Sequence, residues 1–319
     1  MTQSLLCGDA SVVAAFVERD RTALTSIDLS GNFALGVAGV ARLAQALPNS
    51  SVQSLNLSGC AVCGMCCRDV QRQKNFHEFK IDALLELTDA LPETSLTSLD
   101  LSNCVVARPP LLGRQSDLRA VEALGAALKR DDCPLVTLKL GGNALGDQGL
   151  KILAEALQEQ HGHSALTELD LSSTQMLTLT VDGAIMGPET TSDDVRLVEG
   201  RGLHELAVML SLQGGTCNLS SLSLAGNELG VRVKPFADAP VVRAASMLAD
   251  ALISSRLRSV DLRRTRLSLE DESVLALVCI PLNSTLISSI GTTKTHRALL
   301  YRIALNRHCW TPYLSSRCA

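Results

Sequence analysis

The stretch Leu135-Val136-Thr137-Leu138-Lys139-Leu140-Gly141-Gly142-Asn143-Ala144-Leu145-Gly146-Asp147-Gln148-Gly149 decides the fold. Leucines at 135, 138 and 140 are followed by Asn143. Alternation over a few residues places side chains on one face of a strand. Downstream, Leu153 and Leu157 stand four apart, which stacks them on one face of a helix. The segment therefore reads as strand, turn, helix.

The same spacing recurs on both sides of it. It appears at Leu24-Ile27-Leu29-Asn32, Val52-Leu55-Leu57-Cys60 and Leu96-Leu99-Leu101-Cys104. It returns at Leu166-Leu169-Leu171-Thr174, Leu219-Leu222-Leu224-Asn227 and Leu257-Val260-Leu262-Thr265. Helical pairs follow at Leu43/Leu47, Leu87/Leu91, Leu124/Leu128, Leu206/Leu210 and Leu248/Leu252, with Pro48 and Pro92 set to stop the first two helices. One such unit cannot bury its own apolar edge, so the units must stack. The residue closing each strand motif is Asn, Cys or Thr in all seven copies. There the chain leaves the strand, and a short polar side chain can bond backbone groups that would otherwise cost about 1–3 kcal/mol each.

Composition agrees with a repeat. Of 319 residues 56 are Leu, and aromatics make up only 3%, too few for a large aromatic enzyme core. A hydrophobic share of 46% excludes a disordered chain. No apolar run is long enough for a spanning helix, so membrane insertion is not expected. Met1 to Phe16 lacks the basic start of a secretory signal. Eleven cysteines, an odd and irregular set, point to a reducing compartment and a cytoplasmic protein.

The repeated motif closely resembles the leucine-rich repeat family, of the ribonuclease-inhibitor-like subclass, from about residue 23 to 279. The resemblance implies a right-handed α/β solenoid, the leucine-rich repeat horseshoe, with a parallel sheet on the concave face and helices on the convex face. The chain reads as one domain. Residues 1–22 form a cap, with a first helix over 10–20. Residues 23–280 hold the seven repeats, and 281–319 a degenerate last repeat with a final helix over 295–307.

Successive copies start 28, 44, 39, 31, 53 and 38 residues apart. The excess falls between strand and helix, in inserts near 61–80, 105–117, 175–200 and 230–242. Equivalent positions in a solenoid share an edge, so all four inserts should crowd one rim. Long loops are more often functional than passive; the plain alternative is drift at a tolerant site. Phe76, Phe79 and Phe236 lie in or beside inserts and are candidate partner anchors, although Phe76 and Phe79 could equally pack against the next helix. Cys63, Cys66, Cys67 and His77 offer a zinc-like ligand set in the first insert, weakened because Cys60 already closes a strand motif. Packed free thiols are the plainer reading.

Asp28, Asp100, Asp170 and Asp261 should form one column on the open sheet face, able to meet a cation or basic partner or simply to be solvated repeat residues. The charge is uneven. Residues 256–319 carry ten Lys/Arg against four Asp/Glu, a net of +6, leaving −10 for the remainder of a chain at −4. Arg258, Arg263 and Arg264 lie in that basic end, which suits an acidic partner. Nucleic acid is a less favoured partner.

No catalytic constellation is present. There is no phosphate-binding Gly-rich loop with Lys, and His204-Glu205 lacks the second His of a zinc protease. No cofactor is expected, and the chain reads as a non-enzyme: an interaction scaffold, plausible as a subunit of a cytoskeletal or axonemal assembly, or of a cilium. The second reading is a small-GTPase regulator, since the Ran GTPase-activating protein shares the subclass the motif resembles; the basic rather than acidic end weighs against it. Substrate recruitment to a ubiquitin ligase is a third, and lacks room for an adaptor box.

Overall fold

The computed structural model describes residues 14–15, 24–65, 79–108, 116–159, 165–175, 180–181, 184–185, 201–211, 218–227, 229, 247–248, 251–252 and 255–265. Seven three-residue strands alternate with helices. They are β1 (Ser26–Asp28), β2 (Ser54–Asn56), β3 (Ser98–Asp100), β4 (Thr137–Lys139), β5 (Glu168–Asp170), β8 (Ser221–Ser223) and β9 (Ser259–Asp261). Two further strands, β6 (Thr180–Val181) and β7 (Ala184–Ile185), pair antiparallel within the third insert. The helices are α1 (Gly36–Ala46), α2 (Asp82–Ala90), α3 (Arg119–Leu128), α4 (Gly146–Gln158) and α5 (Arg201–Ser211).

The seven strands form one open parallel sheet in the order β1-β2-β3-β4-β5-β8-β9. Their register is the one the leucine spacing requires: Ile27, Leu55, Leu99, Leu138, Leu169, Leu222 and Val260 lie in one line. All seven are buried, whereas the residues on either side of each are exposed or half-buried. One sheet face is thus the core wall and the other is open. A parallel sheet in strict chain order, walled by helices on one face and open on the other, is an α/β solenoid.

The helices supply the opposite wall. Leu43, Leu47, Leu84, Leu87, Leu91, Leu124, Leu128, Leu153, Leu157 and Leu206 all join the strand leucines in one continuous cluster. Burying each such side chain contributes roughly 1.5–3 kcal/mol. The helices pack on their sequence neighbours. Pro48 and Pro92 sit in single tight turns, Leu47–Asn49 and Leu91–Glu93, directly after α1 and α2. The α4–α5 contact is close enough that a methyl group on Gly202 would collide with the Asp147 carbonyl, and the Gly202 N–H donates to Asp147 Oδ1 at 2.9 Å.

The motif-closing residues form an internal ladder. Cys60 donates to the Leu29 carbonyl of the preceding repeat at 3.1 Å, and Cys104 to Leu57 at 3.0 Å. Asn143 reaches Leu101 at 2.9 Å and its own Leu140 at 2.8 Å. Asn227 reaches Leu171 at 2.7 Å and Leu224 at 2.9 Å. Thr174 and Thr265 bond the carbonyl three residues back in their own repeats, Leu171 and Leu262. Cys60, Cys104, Asn143 and Asn227 thus reach back to the preceding repeat, while Thr174 and Thr265 close their own turns and Thr174 is met by Asn227 Oδ1 of the next repeat, which accepts from its amide at 2.8 Å.

Just before each ladder residue the backbone is left-handed in every repeat: Gly31, Gly59, Asn103, Gly142, Ser173, Gly226 and Arg264. This lets the N–H of Gly59, for example, donate to the Ser102 carbonyl of the next repeat at 2.8 Å, and that of Gly142 to Ser172 at 2.7 Å. Two further non-glycine left-handed residues, Val105 (φ 55°) and Gln175 (φ 57°), directly follow Cys104 and Thr174. Both open long inserts. The third and fifth repeats thus turn the chain off the ladder at once, by a conformation that is rare for a β-branched residue.

The described stems of the inserts leave from one rim. In the first, the Lys80 N–H donates to the Cys63 carbonyl at 3.0 Å. In the second, Arg108 and Asp117 exchange two backbone hydrogen bonds of 3.0 Å, forming a neck. The third runs from Gln175 to α5, whose start lies against the start of α4 through Gly202 and Asp147. Each departs just past a ladder residue and returns at a helix start. The caps over 1–22 and 281–319, apart from helical Ala14 and Ala15, lie outside the described residues, as do the loop of the fourth insert over 230–242 and the helix expected over 295–307.

Candidate functional site

The open sheet face and its rim make up the candidate site. The sheet register places Asp28, Asn56, Asp100, Lys139, Asp170, Ser223 and Asp261 in one column. Beside it runs a second column, Ser26, Ser54, Ser98, Thr137, Glu168, Ser221 and Ser259, which the leucine-centred reading missed. Six of its seven members carry a hydroxyl, so this face is small and polar. The signal was present as Ser or Thr directly before the central apolar residue of nearly every motif.

The aspartates hold the strand exits. Oδ1 of Asp28 accepts from the Ser30 N–H at 2.9 Å, Asp100 from Ser102 at 2.9 Å and Asp170 from Ser172 at 2.9 Å. Asn56 does the same for Ser58 at 3.0 Å, and Asp261 for Arg263 at 3.0 Å. A side-chain oxygen bonding the amide two residues on makes a turn that mimics a backbone turn. That is why Asp and Asn recur here. The Ser30 amide and hydroxyl, with help from Asn56, hold the Asp28 carboxyl below the usual carboxylate range. The second carboxylate oxygen has no such task in the turn.

The charges on this face are partly cancelled within it. Lys139 Nζ lies 3.8 Å from Asp100 Oδ2 across adjacent strands. Arg263 Nε lies 2.9 and 3.0 Å from the two Asp261 oxygens, and this guanidinium lowers the Asp261 pKa. Of the three arginines expected to meet a partner, Arg263 is therefore engaged by Asp261. Arg258 and Arg264 are exposed, and Arg264 occupies a left-handed position that four repeats fill with Gly.

At the rim, the neck of the second insert is closed by charge as well. Asp117 accepts from Arg119 Nε and Nη2 at 3.0 and 2.8 Å, with Arg108 Nη2 3.8 Å away. Arg119, then its own amide and Arg108, offset the cost of partial burial and lower the Asp117 pKa. Of the two readings of Phe79, partner anchor or local packing, the structure favours packing: it is only 7% exposed and lies in the leucine core. Phe33, just after β1, is 50% exposed and is the aromatic this rim presents among the described residues. Phe76 and Phe236 lie outside them.

Of the zinc-like set, Cys66, Cys67 and His77 also lie outside the described residues. Cys63 is fully buried in the apolar cluster, and burial pushes its thiol up to about 12. Cys60 is raised to about 11 for the same reason, and Cys104 also rises. Among the described residues no group of three His, Cys, Asp or Glu side chains is arranged to hold a metal, and no helix is long and apolar enough to cross a membrane.

Repeats of this spacing, an open parallel sheet and an internal Asn/Cys ladder make an α/β solenoid of the leucine-rich repeat type. The family model described as Leucine Rich repeat matches residues 132–154, the β4–α4 unit. Among solved structures, the chain is similar to the tropomodulin C-terminal domain of Caenorhabditis elegans. The identity is 17%, the match covers 51% of this chain and 83% of that one, and the TM-score is 0.32. It is also similar to leiomodin-1 actin-binding site 2, at 14% identity over 75% of this chain and 88% of that one, with a TM-score of 0.31. No curated protein matches the sequence.

Proposed function

We propose that this protein is a non-catalytic interaction scaffold, a single ribonuclease-inhibitor-like leucine-rich repeat domain that binds protein partners through its open sheet face and the insert-bearing rim. The observation that carries this is the common departure of the insert stems at Cys63/Lys80, Arg108/Asp117 and Gln175/Arg201, each beyond the ladder and beside the open face. A rigid stack with adjustable loops along one edge is suited to recognition. Asp28, Asp100, Asp170, Arg258 and Arg264 supply polar contacts, and Phe33 an apolar one.

Photo-crosslinking in cell extract tests it. A crosslinkable residue at Phe33 or Asp170 should capture partner protein, and one at Gln45 on the outer side of α1 should not. Equal capture from Gln45 would count against the reading. The finer reading is a subunit of a cytoskeletal or axonemal assembly, and it rests on fold class alone. Co-sedimentation with filamentous actin and with microtubules tests it directly.

A further inference from the structure

The charge left on the open face and at the strand ends bordering it, after internal pairing, is polarised along the solenoid. Asp100 is matched by Lys139 and Asp261 by Arg263. Asp28, Glu168 and Asp170 remain negative over β1–β5. Arg256 and Arg258 just before β9 and Arg264 in the turn after it, outside both columns but at the two ends of the strand, remain positive, all three exposed. None of these six has an ion-pair partner among the described residues. Between the two ends β8 offers only Ser221 and Ser223 in the two columns. Six strand-to-strand steps of about 4.8 Å make the face about 29 Å long, the length of a helix of about 20 residues. The second column is Ser or Thr apart from Glu168, so it sets one long side chain on the face.

We propose that this face docks one elongated, charge-polarised segment of a protein partner, with its Lys/Arg part over β1–β5 and its Asp/Glu part over β9. This rests on the scaffold reading and adds a direction to it. Complementary charge fixes register, and the reversed placement sets like charges against each other. A uniformly basic segment would match β1–β5 and be repelled at β9. A uniformly acidic one would fail in the opposite sense.

The test uses the full chain and Ala-based 20-residue peptides with a Lys-rich half and a Glu-rich half, carrying benzophenone at either end. The acidic-end label should form adducts on β8–β9, and the basic-end label on β1–β5. Arg258→Glu with Arg264→Glu should weaken binding at least tenfold, read by fluorescence anisotropy at low salt. Asp28→Lys with Asp170→Lys, at the other end of the face, should do the same. Circular dichroism melts check that each variant folds.

The proposal is overturned if both labels react without preference, if neither reacts with the face, or if an all-Lys peptide binds as tightly. A concentration-dependent dimer by light scattering, with the face as its contact, would make the occupant a second copy and overturn it too. In each case the scaffold reading stands or falls separately, on capture from Phe33 and Asp170.

Discussion

The side-chain amide of Asn143 donates to the main-chain carbonyl of Leu101, one repeat earlier, at 2.9 Å. Its Oδ1 meanwhile accepts from the Val106 N–H at 3.1 Å. With its further bond to the Leu140 carbonyl of its own repeat at 2.8 Å, one buried side chain satisfies backbone groups of two repeats where neither strand nor helix can.

Asn143→Ala should therefore destabilise by about 3 kcal/mol, because buried groups lose their partners together. Asn143→Cys should cost less, about 1 kcal/mol, since Cys60 and Cys104 make the cross-repeat bond at this position. Urea denaturation reads both. Equal losses would mean that the ladder bonds contribute little beyond volume.

The left-handed turn before each ladder residue separates strain from collision. Arg264 adopts φ 57° without being Gly. A left-handed L-residue costs about 1–2 kcal/mol, offset in a Gly replacement by roughly 0.5–1 kcal/mol of chain entropy. Arg264→Gly should be neutral to stabilising by about 1 kcal/mol. Gly142→Ala should be worse than Gly31→Ala. Both are left-handed, but a methyl group at 142 runs into Asn103 Oδ1, whereas the space at 31 is open. Melting curves of the three variants check that ranking.

The buried thiols give a pH prediction. An unfolded cysteine titrates near pH 8.5, and burial raises Cys60 to about 11 and Cys63 to about 12. The folded chain keeps these protons when the unfolded chain has lost them. Their contribution is complete below about pH 8.5 and is lost as pH rises through the folded values. Stability should fall steeply above pH 9, and less so in Cys60→Ala with its own baseline taken into account. At pH 8, iodoacetamide should leave Cys60, Cys63 and Cys104 unlabelled in the native chain and label them in urea, by peptide mass spectrometry. Rapid native labelling of Cys63 would contradict its burial.

Asp170 separates turn from partner. Asp170→Asn keeps the oxygen that accepts from Ser172 and should leave stability unchanged. Asp170→Ala should cost about 1 kcal/mol. If the carboxylate also meets a partner, Asp170→Asn lowers capture with no change in melting temperature.

Much of this architecture is legible in the sequence because the repeat is a spacing rule. Leu135, Leu138 and Leu140 name the strand, and Asn143 names the ladder. What each aspartate does is less legible. Asp100 and Ser102 are separated by one leucine, and only the turn geometry shows the amide of Ser102 bonding to the carboxylate of Asp100. Phe79 looked like a rim aromatic because it adjoins an insert, yet the return of Lys80 to Cys63 draws it into the core. The Arg108–Asp117 neck joins residues on the two sides of an insert, and no local pattern announces it. Pairing of Arg263 with Asp261 could have been read from the two-residue spacing, and it reduces the charge that a count of arginines suggests.

Partner binding as proposed requires one sheet face that stays open from β1 to β9. Spin labels placed at Ser26 and Ser259 by a thiol-independent chemistry, measured by pulsed electron–electron resonance, test it most directly. Six strand spacings predict a separation of about 29 Å, shortened somewhat by sheet curvature. A separation near 10–15 Å, two or three spacings, would mean a closed or collapsed sheet and would contradict it.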